Sequence, residues 1–273
     1  MIRGRGPWLV GLIVLAAHET ARADHCSAPE RLGASTVRAS LRGEAGHFDT
    51  TTDDGTFIGV VPGLSLGAGP ARLRAELGVY RLSAPAGVEA GPGDLTTKLE
   101  ETFFTPGRFA FGASLGASFP TGDAEKRLGM GHSMAGPSVF STYESPRWFL
   151  ALELGYASSL SMHDEPDVEA HHHHGGAEPH EHLHVPPIPN PMTAEELSLA
   201  LGSSYELADW LRVSAAALGA LSVIRGTEPP FRATLEAGVE LPFGPVTATA
   251  GAKLDPLGAT RRQLGVVGAA FDF

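Results

Sequence analysis

The stretch FRATLEAGVELPF, residues 231–243, decides the fold. Its apolar side chains, bounded by Phe231 and Phe243, occupy alternate positions, and polar residues such as Arg232 and Glu236 fill the positions between them. An alternation with a period of two predicts a β-strand with one apolar and one polar face. The run is far longer than the strands of about 5–6 residues that are usual in soluble sheets. It has the length of a strand that crosses a membrane at a tilt.

The same alternation recurs at 109–119, 147–156 and 246–254. Several of these apolar faces have an aromatic residue near each end, as the interfacial girdles of membrane barrels do. The opposite faces are rich in Gly, Ser, Thr and charged residues, which suits a lumen better than a soluble core. A secreted two-sheet sandwich is the alternative, but strand length, the girdles and the absence of disulfides favour a barrel. The aromatic pairs are Trp148 with Tyr156, Phe109 with Phe119, and Phe231 with Phe243.

We predict an all-β fold: a transmembrane antiparallel β-barrel of about 12 strands in the bacterial outer membrane. Tight turns are expected at Gly69-Pro70, Thr105-Pro106-Gly107, Ser145-Pro146, Asp209 and Gly244-Pro245, and longer connections near 48–54, 83–93, 120–132, 162–193, 225–230 and 255–260. Short turns are periplasmic and long loops are extracellular in such barrels, so both termini are predicted to be periplasmic. The predicted strands are 36–47, 55–68, 71–82, 94–104, 108–119, 133–144, 147–161, 194–208, 210–224, 231–243, 245–254 and 261–273.

The N-terminal residues 1–23 have the pattern of a secretory signal peptide. Arg3 and Arg5 precede an apolar stretch, and Ala21-Arg22-Ala23 predicts cleavage before Asp24, which leaves a barrel of residues 24–273. Cleavage removes three arginines and one glutamate, so the formal charge of −11 becomes −13. This acidic balance argues against a nucleic-acid partner.

Residues 162–193 form one long connection rich in histidine, which we expect to be extracellular. Imidazole suits Zn, Ni and Cu, and His-rich tracts indicate metal binding. The spacing matches no preorganised structural zinc site, so we expect an adaptable site of modest affinity that the fold does not require. The alternative is a solvated polar loop with incidental histidines. The predicted metal ligands are His163, His171, His172, His173, His174, His180, His182 and His184.

Charged residues on the predicted inner faces are candidates for the lining of the lumen. Both signs occur, which favours a paired network that fills a narrow barrel over a selective ring of one sign, although a channel lined by these residues is the other interpretation. The principal candidates are Arg72, Arg74, Glu76, Glu153, Arg232, Glu236 and Glu240, accompanied by Lys98, Glu100, Arg108, Glu196, Glu206, Arg212 and Lys253.

One block of sequence is more specific than a generic barrel. It contains Gly91-Pro92-Gly93-Asp94-Leu95, then Pro120-Thr121-Gly122-Asp123, Leu128-Gly129-Met130-Gly131 and Gly136-Pro137. The block resembles the outer-membrane family named for the meta-cleavage pathway of phenol degradation. The resemblance implies a barrel that transports a small solute, and the His-rich loop is a departure from that family. The terminal Phe271-Asp272-Phe273 resembles the signal by which the barrel-insertion machinery recognises its clients, which implies that machinery as a partner through Phe273.

Two other kinds of function compete with transport. One is a non-conducting structural or metal-binding surface barrel. The other is an outer-membrane lipid hydrolase, for which His132 and Ser133 are the only adjacent pair outside the long loop. Neighbours on a strand face opposite sides and cannot share a proton, so we predict no catalytic residues and no enzymatic activity.

Overall fold

The computed structural model describes residues 37–50, 53–160, 188–189, 192, 195–223 and 231–273. Twelve antiparallel strands form a closed barrel in this part of the chain. Within the same residues, no helix is long and apolar enough to cross a membrane. The strands are β1 (Val37–Thr50), β2 (Asp54–Ala68), β3 (Ala71–Ala84), β4 (Gly87–Phe104), β5 (Phe109–Phe119), β6 (Met134–Glu144), β7 (Trp148–Ser159), β8 (Glu195–Ala208), β9 (Leu211–Ser222), β10 (Phe231–Phe243), β11 (Val246–Leu257) and β12 (Thr260–Asp272).

Closure is made by β1 and β12, which pair from Arg38 with Asp272 to Thr50 with Thr260. Every other neighbouring pair consists of strands that are consecutive in sequence. The barrel therefore has no free edge, which a sheet in lipid cannot tolerate because an unpaired backbone group there costs several kcal/mol. The predicted barrel of about twelve strands is confirmed.

Tight turns lie at one end of the barrel, which we call the turn end; the opposite end is the loop end. Gly69 and Gly244 occupy these turns with φ of 60° and 63°, a left-handed conformation that glycine adopts without steric cost. Three predicted long connections at the loop end are wrong. Residues 48–54 contain strand up to Thr50 and again from Asp54. Residues 83–93 form a hairpin closed by Ala84 pairing with Gly87, so β4 begins seven positions before the predicted start at 94 (94 − 87). Residues 255–260 likewise contain strand up to Leu257 and again from Thr260.

The outer surface of the barrel carries a band of exposed apolar side chains. Leu, Val and Ile positions such as Ile58, which is 59 % exposed, alternate with buried inward residues along the strands. A continuous apolar surface of this extent is not stable in water and fits contact with lipid tails. The predicted girdle aromatics all lie on this outer surface: Phe109, Phe119, Trp148, Tyr156, Phe231 and Phe243. The barrel therefore spans a membrane.

Close contacts between strands depend on glycine at a few inward positions. A Cβ at Gly136 would lie 1.9 Å from the carbonyl oxygen of Tyr156 and 2.7 Å from the Cα of Ala157. A Cβ at Gly265, on the outward face of β12, would instead have its nearest neighbour, the carbonyl oxygen of Ala45, at 3.8 Å. Only the first site requires glycine for steric reasons.

Replacing Gly136 by alanine is expected to destabilise the barrel, because the added methyl group overlaps backbone that cannot yield easily. Overpacking of this kind costs about 1–3 kcal/mol. The measurement is the urea midpoint at which the compact, heat-modifiable form disappears from unheated denaturing gels. Gly265→Ala is the matched control, and its midpoint is expected to equal that of the natural protein. Equal midpoints for both variants would contradict the packing described for β6 and β7.

Candidate functional site

The inner wall of the barrel is where the structure places the seven principal lumen candidates. They lie on β3, β7 and β10, at positions that alternate with the lipid-facing residues of those strands. Glu153 is fully buried inside the barrel, with 0 % of its surface exposed. The seven are Arg72, Arg74, Glu76, Glu153, Arg232, Glu236 and Glu240.

A first charged network follows the wall from β3 to β7. Arg74 lies 2.8 Å from Glu100, and Lys98 lies 3.4 Å from the same carboxylate. Lys98 also donates to Glu153 at 2.7 Å, and the hydroxyl of Ser138 donates to the other oxygen of Glu153. Each of these four buried charges thus has an opposite charge beside it, which offsets the free-energy cost of removing it from water.

On β1, Arg42 adds a further group of charges next to this network. Its guanidinium lies 2.8 Å from Glu44 and 3.3 Å from Glu76 on β3. Since one arginine serves two carboxylates, Glu76 is held on the wall by its neighbour.

A second charged network occupies the wall from β8 to β11. It is built in the same way, from arginine or lysine on one strand and glutamate on a strand nearby. Its pairs are Arg212 with Glu240 at 2.7 Å and with Glu206 at 3.7 Å, Arg232 with Glu196 at 2.6 Å, and Lys253 with Glu236 at 3.3 Å.

The charged side chains of the lumen form local pairs of opposite sign and do not form a ring of one sign. Twelve of the fourteen candidates named above belong to the pairs just described, but Arg108 does not belong to the inner wall. Arg108 lies after the end of β4, in the exposed turn before β5. Its assignment to the strand that begins at 108 was wrong because the turn 105–108 is longer than the Thr105-Pro106-Gly107 signal suggested.

The loop end of the lumen contains a cluster of apolar side chains that sequence analysis did not anticipate. Inward residues of β1, β2, β3 and β12 contribute to it, and so do Leu128 and Ile188 from two loops, each 1 % exposed. The loops therefore fold into the barrel and narrow it. The full cluster, which we call the apolar constriction, is Phe48, Phe57, Val61, Tyr80, Leu82, Leu128, Ile188, Leu264 and Val266.

The loop 120–133 is held in this position by Asp94. The Asp94 carboxylate accepts the backbone N–H of Gly122 at 3.1 Å and that of Met130 at 2.7 Å. The hydroxyl of Thr121 donates to the carbonyl of Gly93 at 2.8 Å. A Cβ at Gly129 would lie 2.4 Å from the Asp94 carboxylate. The Gly- and Asp-rich block thus forms one packed unit that fixes the loop to β4.

The loop 120–133 contains an exposed turn at Asp123 to Lys126, before the chain enters the lumen at Leu128. Lys126 donates to Asp123, and this hydrogen bond, with those from the backbone of Lys126 and Glu125, holds the pKa of Asp123 below its ordinary value. A carboxylate that accepts several N–H groups is stabilised in its charged form.

The second inward segment contains Ile188 and Pro189 and is held by Arg262. Arg262 donates to the carbonyl of Ile188 at 3.0 Å and to that of Pro189, and its guanidinium is paired with Asp255. The N–H of Ile188 donates to the carbonyl of Arg127 at 3.1 Å. The two inward loops are therefore joined to each other as well as to the wall.

Arg127 adopts a backbone conformation that is unusual for a residue with a side chain. Its φ is 60°, and its guanidinium lies 5.9 Å from the centre of the Phe48 ring and 3.7 Å from Asp53. Left-handed φ at a non-glycine residue stores strain that the surrounding contacts must offset. The turn at Arg127 aims Leu128 into the apolar constriction.

Two predicted features lie outside the described residues: the signal peptide 1–23 and all eight histidines proposed as metal ligands. Cys26, the single cysteine of the sequence, lies outside them too. Within the described part of the chain, no group of three or more His, Cys, Asp or Glu side chains is placed to hold a metal ion. His132 and Ser133 lie in the loop just before β6. The carboxylate near His132 is Asp94, whose two oxygens accept the backbone donors of the loop.

Known structures share the architecture of this chain. No protein-family model matches the sequence, and no curated protein matches it significantly. An outer-membrane channel from Pseudomonas putida F1 superimposes with a TM-score of 0.64 at 12 % identity, over 89 % of this chain and 97 % of that one. The NanC porin superimposes with a TM-score of 0.56 at 8 % identity, over 85 % of this chain and 100 % of that one. At these identities the likeness concerns the fold, which is that of bacterial outer-membrane channels and porins, in agreement with the predicted location.

Removing the contact between Arg262 and the inward loop is expected to expose the apolar constriction. In a Cys26→Ser background, Leu128→Cys places a thiol at a buried position. Because hydrogen bonds from a charged donor contribute about 1.5–3 kcal/mol, Arg262→Gln is expected to raise the labelling rate of that thiol by about tenfold or more. The measurement is labelling by a membrane-impermeant maleimide.

Arg212→Gln is the control, since it removes a guanidinium that lies at the turn end and pairs with Glu240 and Glu206. Labelling that is equally slow in the Arg262→Gln variant would show that other contacts hold the loop in place.

Proposed function

We propose that the protein is a passive outer-membrane channel for a small polar solute. The observation that carries this proposal is a closed barrel whose inner wall is lined by charged side chains and by Ser, Thr and Gly, with its loop end narrowed by two inward loops. A polar lumen inside an apolar shell is what water and polar solutes need to cross a membrane, and inward loops restrict their size.

We also infer membership of the outer-membrane family named for the meta-cleavage pathway of phenol degradation. The support is the Gly- and Asp-rich block, in which Asp94, Gly122, Gly129 and Met130 act together to hold an inward loop. Residues that contact one another and hold a loop indicate a family more specifically than glycine and aspartate residues that occur singly in turns. The fold of the Pseudomonas putida F1 channel agrees with this proposal.

The apolar constriction supports the second candidate function, a barrel that does not conduct at rest. Leu128 and Ile188 are both almost fully buried, so a solute would have to pass tightly packed apolar groups. Apolar constrictions stop ion flow by excluding water. Single-channel recording decides between the two candidates: steps of current at moderate voltage support the channel, and their absence supports the non-conducting barrel.

Charge changes in the lumen are expected to alter ion selectivity if the path is open. Glu240→Gln and Glu236→Gln each remove one carboxylate from the inner wall, so the reversal potential in a KCl gradient is expected to move toward anion preference. Glu89→Gln is the control, because Glu89 is exposed on the hairpin at the loop end. An unchanged reversal potential in both lumen variants would mean that ions do not pass these residues.

The His-rich segment is proposed to bind transition-metal ions on the extracellular side. The support is its composition: eight histidines, including the runs 171–174 and 180–184, in one connection. Imidazole ligands suit Zn, Ni and Cu, and the site competes with protons for the same nitrogen atoms.

Metal binding is expected to weaken as the pH falls. Imidazole has an unperturbed pKa of about 6.5 and binds metal only in its neutral form, so affinity is present above that pH and is lost below it. The measurement is calorimetry of the whole protein with Zn, Ni and Cu at pH values of about 7.5 and about 5.5. Replacing the eight histidines by alanine should abolish the heat of binding, and His47→Ala, which changes an exposed strand residue, should not. Saturable binding that survives the eight replacements would place the metal elsewhere.

Phe273 is proposed as a recognition signal for the barrel-insertion machinery. The residue is 76 % exposed at the turn end, and its N–H donates to the carbonyl of Val37 at 2.9 Å, so its backbone continues the barrel.

A further inference from the structure

Three methionine side chains pack together at the loop end of the lumen, in a group that we call the methionine cluster. Met130 comes from the loop 120–133, Met134 from the first position of β6, and Met192 from the connection between β7 and β8. Their exposed fractions are 2 %, 0 % and 6 %, and Ala157 on β7 completes the cluster. The sequence contains five methionines, so more than half of them meet at this one place.

Polar contacts of the backbone hold the methionine cluster in place. The N–H of Met130 donates to the Asp94 carboxylate at 2.7 Å, and Met134 is paired in register with Ser118 on β5. Gly131 lies between the two methionines with a φ of 75°, a left-handed conformation in which the chain turns without steric cost. The backbone therefore holds the side chains of Met130 and Met134 close together without the help of a ligand.

A buried hydroxyl group lies beside the methionine cluster. Ser118 is directly opposite Met134 in the pairing of β5 with β6, and both residues are 0 % exposed. Directly opposite residues of an antiparallel pair have their Cβ atoms about 4.5–5.5 Å apart on the same face, so the Ser118 hydroxyl adjoins the Met134 side chain. Among the residues that the structure describes, this hydroxyl has no hydrogen-bond partner. A buried polar group of this kind is costly in free energy and points to a polar or charged ligand beside it.

The chemistry of the cluster selects one class of ligand. Thioether sulfur is a soft donor, and soft sulfur donors select Cu(I) over the harder divalent ions. Methionine side chains have three rotatable bonds, so their sulfur atoms can adjust to an ion without movement of the backbone. The Asp94 carboxylate next to Met130 adds a negative charge, which attracts a cation and repels an anion.

We propose that the methionine cluster is a binding site for a soft monovalent metal ion, Cu(I), with the sulfur atoms of Met130, Met134 and Met192 as its ligands. The ion would join the loop 120–133 and the connection between β7 and β8 to the wall at β6. The site differs in chemistry from the His-rich segment, because an imidazole competes with protons for its metal and a thioether does not. The inference does not depend on whether the barrel conducts.

Equilibrium titration of the whole protein in detergent tests the site with Ag(I), a probe that has the charge and softness of Cu(I) and needs no reductant. A Cys26→Ser background removes the thiol. A pH of about 5.5 protonates free imidazole, whose unperturbed pKa is about 6.5. Saturable uptake of a single Ag(I) ion is expected, and Zn(II) is expected not to displace it. No saturable uptake by the folded, heat-modifiable protein, or ready displacement by Zn(II), would overturn the proposal.

Substitutions locate the ion in the methionine cluster. Met130→Leu, Met134→Leu and Met192→Leu each keep the apolar volume and remove one sulfur atom, so each variant is expected to fold. Each is expected to lower the affinity for Ag(I) by about tenfold or more, since loss of even an outer partner of a metal ligand costs about 10–100-fold. Leu218→Met is the control, because it exchanges the same two side chains at a buried position of β9 and removes no thioether. An unchanged affinity in all three Met→Leu variants would overturn the site.

X-ray absorption spectroscopy of the Ag(I)-bound protein identifies the ligand atoms directly and does not depend on the folding of any variant. A first coordination shell of sulfur supports the assignment. A shell of nitrogen or oxygen alone would overturn it and would assign the bound ion to other side chains, such as those of the His-rich segment.

Discussion

Hydrogen bonding of the backbone in lipid is the constraint on which the rest of this structure depends. The pairing of β1 with β12, from Arg38 with Asp272 to Thr50 with Thr260, removes the last free edge of the sheet. Lipid offers no donor or acceptor, so an open edge would leave a row of unpaired groups. Once the sheet is closed, alternate side chains must face either lipid or the enclosed space, because successive residues of a strand point to opposite faces. The apolar outer band and the polar inner wall are consequences of closure.

The inner wall must then hold many charged groups away from bulk water. The structure does this by pairing charges along the wall, as in Lys98 with Glu153, which reaches from β4 to β7. The strands between them carry Gly116 and Gly136 inward, so no large side chain stands in the way. Removing one partner of a buried pair costs about 3–5 kcal/mol, so each pair fixes both members. The lumen is therefore lined by locally paired charges, and at Arg42 and Arg212 one guanidinium serves two carboxylates.

Sequence patterns predict the wall of this barrel much better than its interior. The strand predicted at 231–243 coincides with β10. The prediction succeeds because successive residues of a strand face the lumen and the lipid in turn, which produces an alternation of polar and apolar residues. The start of β4 was misplaced because Gly91-Pro92-Gly93 has the composition of a turn. In the structure Gly93 lies within the strand and beneath the Tyr80 ring, where a Cβ would come 2.8 Å from that ring. The choice of charge partners and the inward course of Leu128 and Ile188 depend on contacts between distant strands and loops, and local periodicity contains no information about them.

The wall of the barrel and the apolar constriction differ in how many contacts stabilise each of them. The wall is held by twelve strand pairings, so no single hydrogen bond decides its stability. The apolar constriction depends on a few polar contacts, chiefly those of Asp94 with Gly122 and Met130 and those of Arg262 with Ile188 and Pro189. Regions with few supporting contacts open at lower free energy than the body of a protein. Displacing Leu128 and Ile188 is therefore expected to cost less free energy than separating two strands of the wall.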